Sequence, residues 1–522
     1  MEENWRSHGF HTDERLGWML EDRARTMPDR IAVITPTRQL TYHELQRRAS
    51  AVARTLVANG VRNGDPVCWM LPTDAEAVSV ASAIWRIGAV SSPIVPIYGA
   101  REIAAVVEQS RPVAVITNGM VRGRRLPEEF DAVLATLGHE PRVRLLAAGE
   151  HPGWLDADAE GPGALPATVL PAPADSPALI LYTSGTEAAP KGAVHSTTGL
   201  MHELRSCVTE WGITFRDRMF MASPMTHITG LLQGFLIPTR VGGAAILMDR
   251  WNAAEAVELI EQHAGTYMAG ATPFLRELLA AYAASGRTTS SLRQYCCGGA
   301  AVPAELIREA DRLGIAAYRA WGMTELPTST LANELDPLWA RAETDGRLAP
   351  GVEMRVVDDD GRDVEPGREG GLLLRGPEMM LGYVRVDEGA PAAISEDGWF
   401  ATGDVGYLGD DGYVRISGRT KDIINRGGEK FSVREIEDHL RAHPGVEAVA
   451  VLALPGGRLG ERIGAVIVSD EDVTPTALAD FMTSRGVAKQ KTPELVVVVE
   501  AIPMNATGKV DKRAILALFD GR

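Results

Sequence analysis

The chain has 522 residues, 45% hydrophobic and 23% charged, values that exclude a single small module and a globally disordered protein. Its 53 Lys and Arg against 69 Asp and Glu leave a formal charge of −16, which disfavours a surface built for nucleic acid or anionic membrane, so an anionic ligand must be held by local donors. Four cysteines, Cys68, Cys207, Cys296 and Cys297, are too few for a disulfide framework and lack paired C-x-x-C spacing, so a reducing cytoplasmic setting is expected.

The N-terminal stretch MEENWRSHGFHTDERLG carries early acids and no apolar run, and apolar runs elsewhere fall short of the ~18 residues of a membrane span. Neither a targeting segment nor a span is expected. The segment TYHELQRRASAVARTLVANG opens with a Thr41/Glu44 capping box, repeats apolar residues at Leu45, Ala49, Val52 and Leu56, and stops at Gly60, which predicts a helix. DPVCWMLP, then DAEAVSVASAIWRIGA at helical spacing, then VSSPIVPI give the strand–helix–strand rhythm of a parallel, doubly wound sheet. Residues 152–177 contain six prolines among Ala, Gly and Asp and read as a connector without regular structure. The rhythm resumes after residue 178. Near residue 410 the texture turns to glycine and charge, and the last hundred residues read as a separate unit. There a Ser432/Glu435 capping box opens a helix, and VEAVAVLALP, RIGAVIVS and PELVVVVEAIP read as three strands. The expected domains are 1–418 and 419–522.

The most informative segment is ALILYTSGTEAAPKGAVHS. A β-prone run, Ala178 to Tyr182, leads into Thr183, Ser184, Gly185 and Thr186, followed by Pro190-Lys191-Gly192. Hydroxyls, a permissive glycine and a lysine after a strand can surround phosphate oxyanions with N–H groups and positive charge. The string is not G-x-x-x-x-G-K-[ST], so the ordinary P-loop is excluded. Composition alone also fits an ordinary turn.

YTSGTEAAPKG closely resembles the phosphate loop of the adenylate-forming superfamily, which includes acyl-CoA synthetases, stand-alone adenylation domains and beetle luciferases. PMTHITG (224–230), CGGAAVP (297–303), WGMTE (321–325), GWFATGD (398–404), GRTKDIINRGGEKFSVREIE (418–437) and PMNATGK (503–509) resemble further motifs of that family in its order. The chain departs from the family's commoner residues at Glu187-Ala188, Trp321, Gly371 and Lys430, none of which removes a charge the chemistry needs. The resemblance implies an α/β fold, with a large N-terminal domain of doubly wound mixed sheets plus a small barrel, and a small mobile α+β C-terminal domain.

It also implies ATP, Mg²⁺ and CoA as cofactors, and roles for particular residues. Thr183, Ser184, Gly185, Thr186 and Lys191 would cradle the β- and γ-phosphates. Thr324 would donate near the α-phosphate, and Glu325 would bind Mg²⁺. Trp321 would stack on adenine, flanked by Gly299, Ala300, Ala320 and Gly322. Asp404 would accept from the ribose hydroxyls, with Arg419 beside it. His227 would border the acyl carboxylate, Lys509 would serve adenylation, Lys421 would be the hinge, and Gly427 and Gly428 would line the CoA tunnel. Singly, these residues have blander readings: a core histidine at 227, an Asx-turn aspartate ending a tight turn at 404, a solvated Glu325 and Lys509. Cys296-Cys297 reads as buried packing rather than as a nucleophile or metal pair.

These motifs imply a carboxylate–CoA ligase that passes through an acyl-adenylate. PMTHITG offers no carboxylate to pair a substrate amine, so a small non-amino carboxylic acid is favoured. Alternative readings are an adenylation enzyme that loads a carrier protein, an enzyme that activates another small oxyanion such as nitrite for N–N bond formation, and a non-catalytic nucleotide sensor.

Overall fold

The computed structural model describes the chain apart from residues 1, 158, 160–162, 164, 184–189, 290, 300–301, 385–392, 427–428, 456–460, 471–472, 505–509 and 520–522, together with the side chains of 2, 421, 423, 425–426 and 429–430. The fold divides into two compact units: Met1–Glu353 with Arg375–Gly398, and Met354–Leu374 with Trp399–Arg522.

The first unit holds two large sheets. One has seven strands in the order Ala316–Arg319, Gln294–Cys297, Tyr267–Gly270, Arg218–Met221, Ala244–Leu247, Ile31–Ile34 and Gln39–Thr41, all parallel except the last pair. The other has eight, in the order Gly382–Tyr383, Lys191–Ser196, Pro177–Thr183, Val90–Pro93, Pro66–Met70, Ala114–Asn118, Val143–Ala148 and Leu155–Asp156. Here Lys191–Ser196 runs antiparallel to both its neighbours, and the rest are parallel. Helices cover such parallel strands, so the strands read as unbroken apolar runs rather than as alternating ones. Val67, Cys68, Trp69 and Met70 are fully buried in this way.

The predicted helices form where their caps stand. Tyr42–Ala58 begins on the Thr41/Glu44 capping box, with both reciprocal bonds made, and Gly60 follows it at φ +87°. Ala75–Arg86 begins on Asp74 and is buried along almost its whole length. Removing the Thr41 hydroxyl strips an N-terminal amide of its acceptor, so Thr41→Ala should cost about 1 kcal/mol. A lowered urea midpoint that Thr41→Ser restores is the expected result; equal midpoints for all three proteins would show that the box contributes nothing. The proline-rich connector is not wholly irregular: Leu155–Asp156 adds a two-residue parallel strand to the sheet edge at Leu145–Leu146.

A four-stranded sheet is formed by Glu353–Val357, Gly370–Arg375, Phe400–Leu408 and Val414–Arg419, in that order among the described residues. The three predicted C-terminal strands form as Ala448–Leu454, Arg462–Val468 and Leu495–Val499, the first pair antiparallel and the second parallel. Their side chains divide by the period-two rule. Val449, Val451, Ile463, Ala465 and Ile467 join Ile436, Leu440, Leu478 and Met482 in one core, while Ala450, Leu452, Leu454 and Val466 join Ile515 and Phe519 in another. Both faces are thus covered by helices, which explains the near-continuous apolar sequence of these strands. Among the described residues, no helix is long and apolar enough to cross a membrane.

Candidate active site

Two antiparallel strands hold the ends of the phosphate loop. Pro177–Thr183 enters it and Lys191–Ser196 leaves it, with Thr183 paired to Lys191 across the ladder. Ser184, Gly185 and Thr186 lie between them, outside the described residues. Gln109 braces the exit, its side-chain amide donating to Pro190 O at 2.6 Å. Gly192 is required by close approach: a Cβ there would meet Ile180 Cγ2 at 2.9 Å and Tyr182 Cε1 at 3.0 Å.

The WGMTE segment follows strand Ala316–Arg319 as a tight turn. Ala320 N donates to Cys297 O at 3.0 Å, Trp321 N to Thr330 Oγ1 at 2.9 Å, and Met323 N to Leu326 O at 3.0 Å. A Cβ at Gly322 would lie 1.8 Å from Pro327 O, so only glycine fits this turn. Trp321 is half-buried. Gly299, exposed and at φ +82°, follows strand Gln294–Cys297; Ala300 lies outside the described residues. The Thr324 carbonyl accepts from Nε2–H of His195, a buried imidazole whose pKa burial lowers to about 4, so that the ring is a neutral strut. Met380 N donates to Glu325 O at 2.8 Å, and the Tyr383 hydroxyl donates to Glu325 Oε1 at 2.5 Å. Lys191 Nζ lies 5.5 Å from the centre of the Tyr383 ring. Tyr383 thereby brings Lys191 and Glu325 to one place. Sequence reasoning missed Tyr383, His195 and Gln109, because each acts through a partner at least 58 positions away.

His227 is not a core histidine. It is exposed and caps the short helix Ile228–Leu231, its Nδ1 accepting from Thr229 N at 3.4 Å, while Met225, Thr226 and Ile228 around it are buried. The helix runs on through a π turn, Leu232–Leu236, that the apolar pattern does not reveal. Cys296 and Cys297 are fully enclosed, and burial pushes both thiols up to about 12, as expected of packing residues.

In the second unit Asp404 does not end a turn but lies inside strand Phe400–Leu408. Between the pairs Gly371–Val405 and Leu373–Ala401, residues 402–404 oppose residue 372 alone, a bulge with Gly403 at φ +73°. Bulges re-aim side chains. Asp404 is 4% exposed and its Oδ1 accepts from Arg419 Nε at 2.9 Å. Lys421 lies in the 3-10 turn Thr420–Asp422, with its side chain outside the described residues. Gly427, Gly428 and Lys509 also lie outside them.

Residues 20–384 match the AMP-binding enzyme family and residues 435–509 match the AMP-binding enzyme C-terminal domain. The medium-chain fatty-acid–CoA ligase of Escherichia coli K12 is 32% identical over 97% of this chain and 91% of its own length. The 2,3-dihydroxybenzoate-AMP ligase of Bacillus subtilis 168 is also 32% identical, over 98% and 95%. The crystal structure of ATP-bound MatB from Rhodopseudomonas palustris superposes with a TM-score of 0.88 at 28% identity, covering 98% of this chain and 99% of that one. With both of its parts matched and relatives aligned almost end to end, the chain belongs to the AMP-binding enzyme family, within the adenylate-forming superfamily of acyl-CoA ligases and adenylation enzymes.

Proposed function

We propose that the chain is an ATP-dependent carboxylate–CoA ligase acting on a small non-amino acid. The observation that carries this reading is the convergence of Lys191, at the exit of the phosphate loop, and the Glu325 carboxylate on Tyr383. In the first half-reaction a carboxylate oxygen attacks the α-phosphorus of ATP, and the bond to pyrophosphate breaks. In the second, the CoA sulfur attacks the acyl carbon and AMP leaves. Charge accumulates on phosphoryl oxygens in the first step, so cations and aimed N–H donors dominate it. Thr183, Ser184, Gly185, Thr186 and Lys191 hold the leaving phosphates, and Thr324 donates near the α-phosphate. Trp321 stacks on adenine beside Gly299, Ala300, Ala320 and Gly322, while Asp404 and Arg419 hold the ribose. His227 borders the carboxylate.

Glu325 fits a Mg²⁺ ion. It is a hard oxygen donor, half-buried, and among the described residues no group of three His, Cys, Asp or Glu side chains could hold a metal alone. Mg²⁺ bound by one carboxylate and substrate phosphates matches that donor set and would neutralise phosphate charge. The mobile domain begins at 419, with Lys421 as hinge, Lys509 serving adenylation, and Gly427 and Gly428 lining the thiol tunnel. The cytoplasm is the proposed compartment.

A second reading transfers the acyl group to a carrier-protein thiol, supported by the equal likeness to an aryl-AMP ligase. Pyrophosphate release over a panel of acids, with nitrite included, separates the readings when run alone, with CoA and with a phosphopantetheinylated carrier. Neutral-tailed acids plus CoA should give thioester. An α-amino acid should be poor, because burying an unpaired ammonium is costly. Preference for a zwitterion, for nitrite, or for the carrier over CoA would each overturn the primary reading.

A further inference from the structure

Tyr383 stands on a strand of two residues, yet its backbone is fixed on both sides. Gly382 and Tyr383 pair antiparallel with Val194 and Ala193, Leu381 N donates to Val194 O at 2.7 Å, and Val384 N donates to Gly192 O at 2.7 Å. The strand it is zipped to starts at Lys191, immediately after the phosphate loop. One ladder register therefore sets the phenol against both the lysine and Glu325. Glu325 is gripped twice by the same segment, at its carbonyl by Met380 N and at its carboxylate by the Tyr383 hydroxyl. The phenol O–H is the donor and the carboxylate oxygen the acceptor, so Tyr383 donates and Glu325 accepts.

We propose that Tyr383 is a positioning residue for the adenylation step, its hydroxyl fixing the Glu325 carboxylate so that Oε2 is presented to the metal and its ring face holding the Lys191 ammonium beside the phosphate loop. This rests on the reading of Glu325 as the Mg²⁺ residue. A carboxylate free to rotate must be ordered when the metal binds, whereas one already held by a charge-assisted bond need not be. The two functions of the side chain are separable. Tyr383→Phe removes the hydroxyl and keeps the ring and the backbone pairing; Tyr383→Leu removes both.

The test uses the full chain and Mn²⁺ as the probe, with α,β-methylene-ATP as a nucleotide that cannot release pyrophosphate. Binding is read from the loss of the free Mn²⁺ EPR signal, and ATP–pyrophosphate exchange is measured in parallel against Mg²⁺ concentration. Tyr383→Phe should weaken Mn²⁺ binding about tenfold, the size of a lost bond to a charged group. It should raise the half-saturating Mg²⁺ by a similar factor, with the maximal exchange rate recovered at high Mg²⁺ and metal-free nucleotide binding unchanged. Tyr383→Leu should in addition weaken metal-free nucleotide binding. Glu325→Gln is the reference. If it weakens Mn²⁺ binding and Tyr383→Phe does not, the metal reading stands and Tyr383 has no positioning role. If Glu325→Gln binds Mn²⁺ like the parent protein, the metal reading and the proposal fall together. A Tyr383→Phe loss that high Mg²⁺ does not restore would show a general structural role and overturn the proposal.

Discussion

Lys509→Ala is expected to slow acyl-adenylate formation by about 10²–10³, the usual loss when one well-placed electrostatic donor to a developing oxyanion is removed. The same variant should convert supplied acyl-adenylate and CoA to thioester at close to the parent rate. Charge builds on the phosphoryl oxygens in the first half-reaction and on the acyl oxygen and departing AMP in the second, so in this proposal it is the domain rotation that restricts Lys509 to the first step. The proposed rotation about Lys421 carries Lys509 away and brings Gly427 and Gly428 to the thiol path. Lys421→Pro gives the opposite pattern: a φ fixed near −65° at the hinge restricts rotation and slows thioester formation more than adenylation. Both half-reactions measured in both variants decide the matter. Equal losses in each would mean that one rigid site serves both steps.

What the sequence reveals of this chain is what local physics writes into it. The helix at Tyr42–Ala58 is announced by its own capping box, and the three strands of the C-terminal unit by their apolar runs between turn residues. Asp404 is legible as a site candidate, but its strand is not, because TGD has turn composition and becomes a bulge only when Gly371 and Leu373 pair on either side of it. The outward placement of His227 is not legible in the sequence for a related reason. An apolar neighbourhood in sequence says nothing about which side chain faces outward at a helix cap. Tyr383 left no signal at all, since two residues show no periodicity and its ladder partner lies 190 positions earlier.

The buried acids behind the site were likewise invisible, and they predict a pH dependence of folding. Glu203 and Glu378 are 1% and 2% exposed. Glu203 Oε1 accepts from the Thr328 hydroxyl and from Cys207 Sγ, while Glu203 Oε2 and both Glu378 oxygens have no hydrogen-bond partner among the described residues. His202 Nε2 lies 3.6 Å from Glu378 but is bonded to Pro350 O at 2.8 Å. Burial raises the Glu203 pKa from 4.5 to about 7, and burial followed by the Glu203 charge raises that of Glu378 as well. A carboxyl raised on folding contributes stability that is complete below its unfolded pKa near 4.5 and is lost as pH rises through about 7. His195 and His202, both lowered from 6.5 to about 4 chiefly by burial, act with the opposite sign: their contribution is complete above 6.5 and is lost as pH falls through about 4. The two effects oppose each other between 4.5 and 6.5, and above that only the carboxyls titrate. Glu203→Gln keeps an acceptor for Thr328 but cannot ionise. Relative to this variant, the parent protein should lose on the order of 2 kcal/mol of stability between pH 5 and pH 8. Urea unfolding of both proteins at pH 5, 6.5 and 8 measures the gap, and a gap that stays constant with pH would mean that Glu203 is ionised throughout.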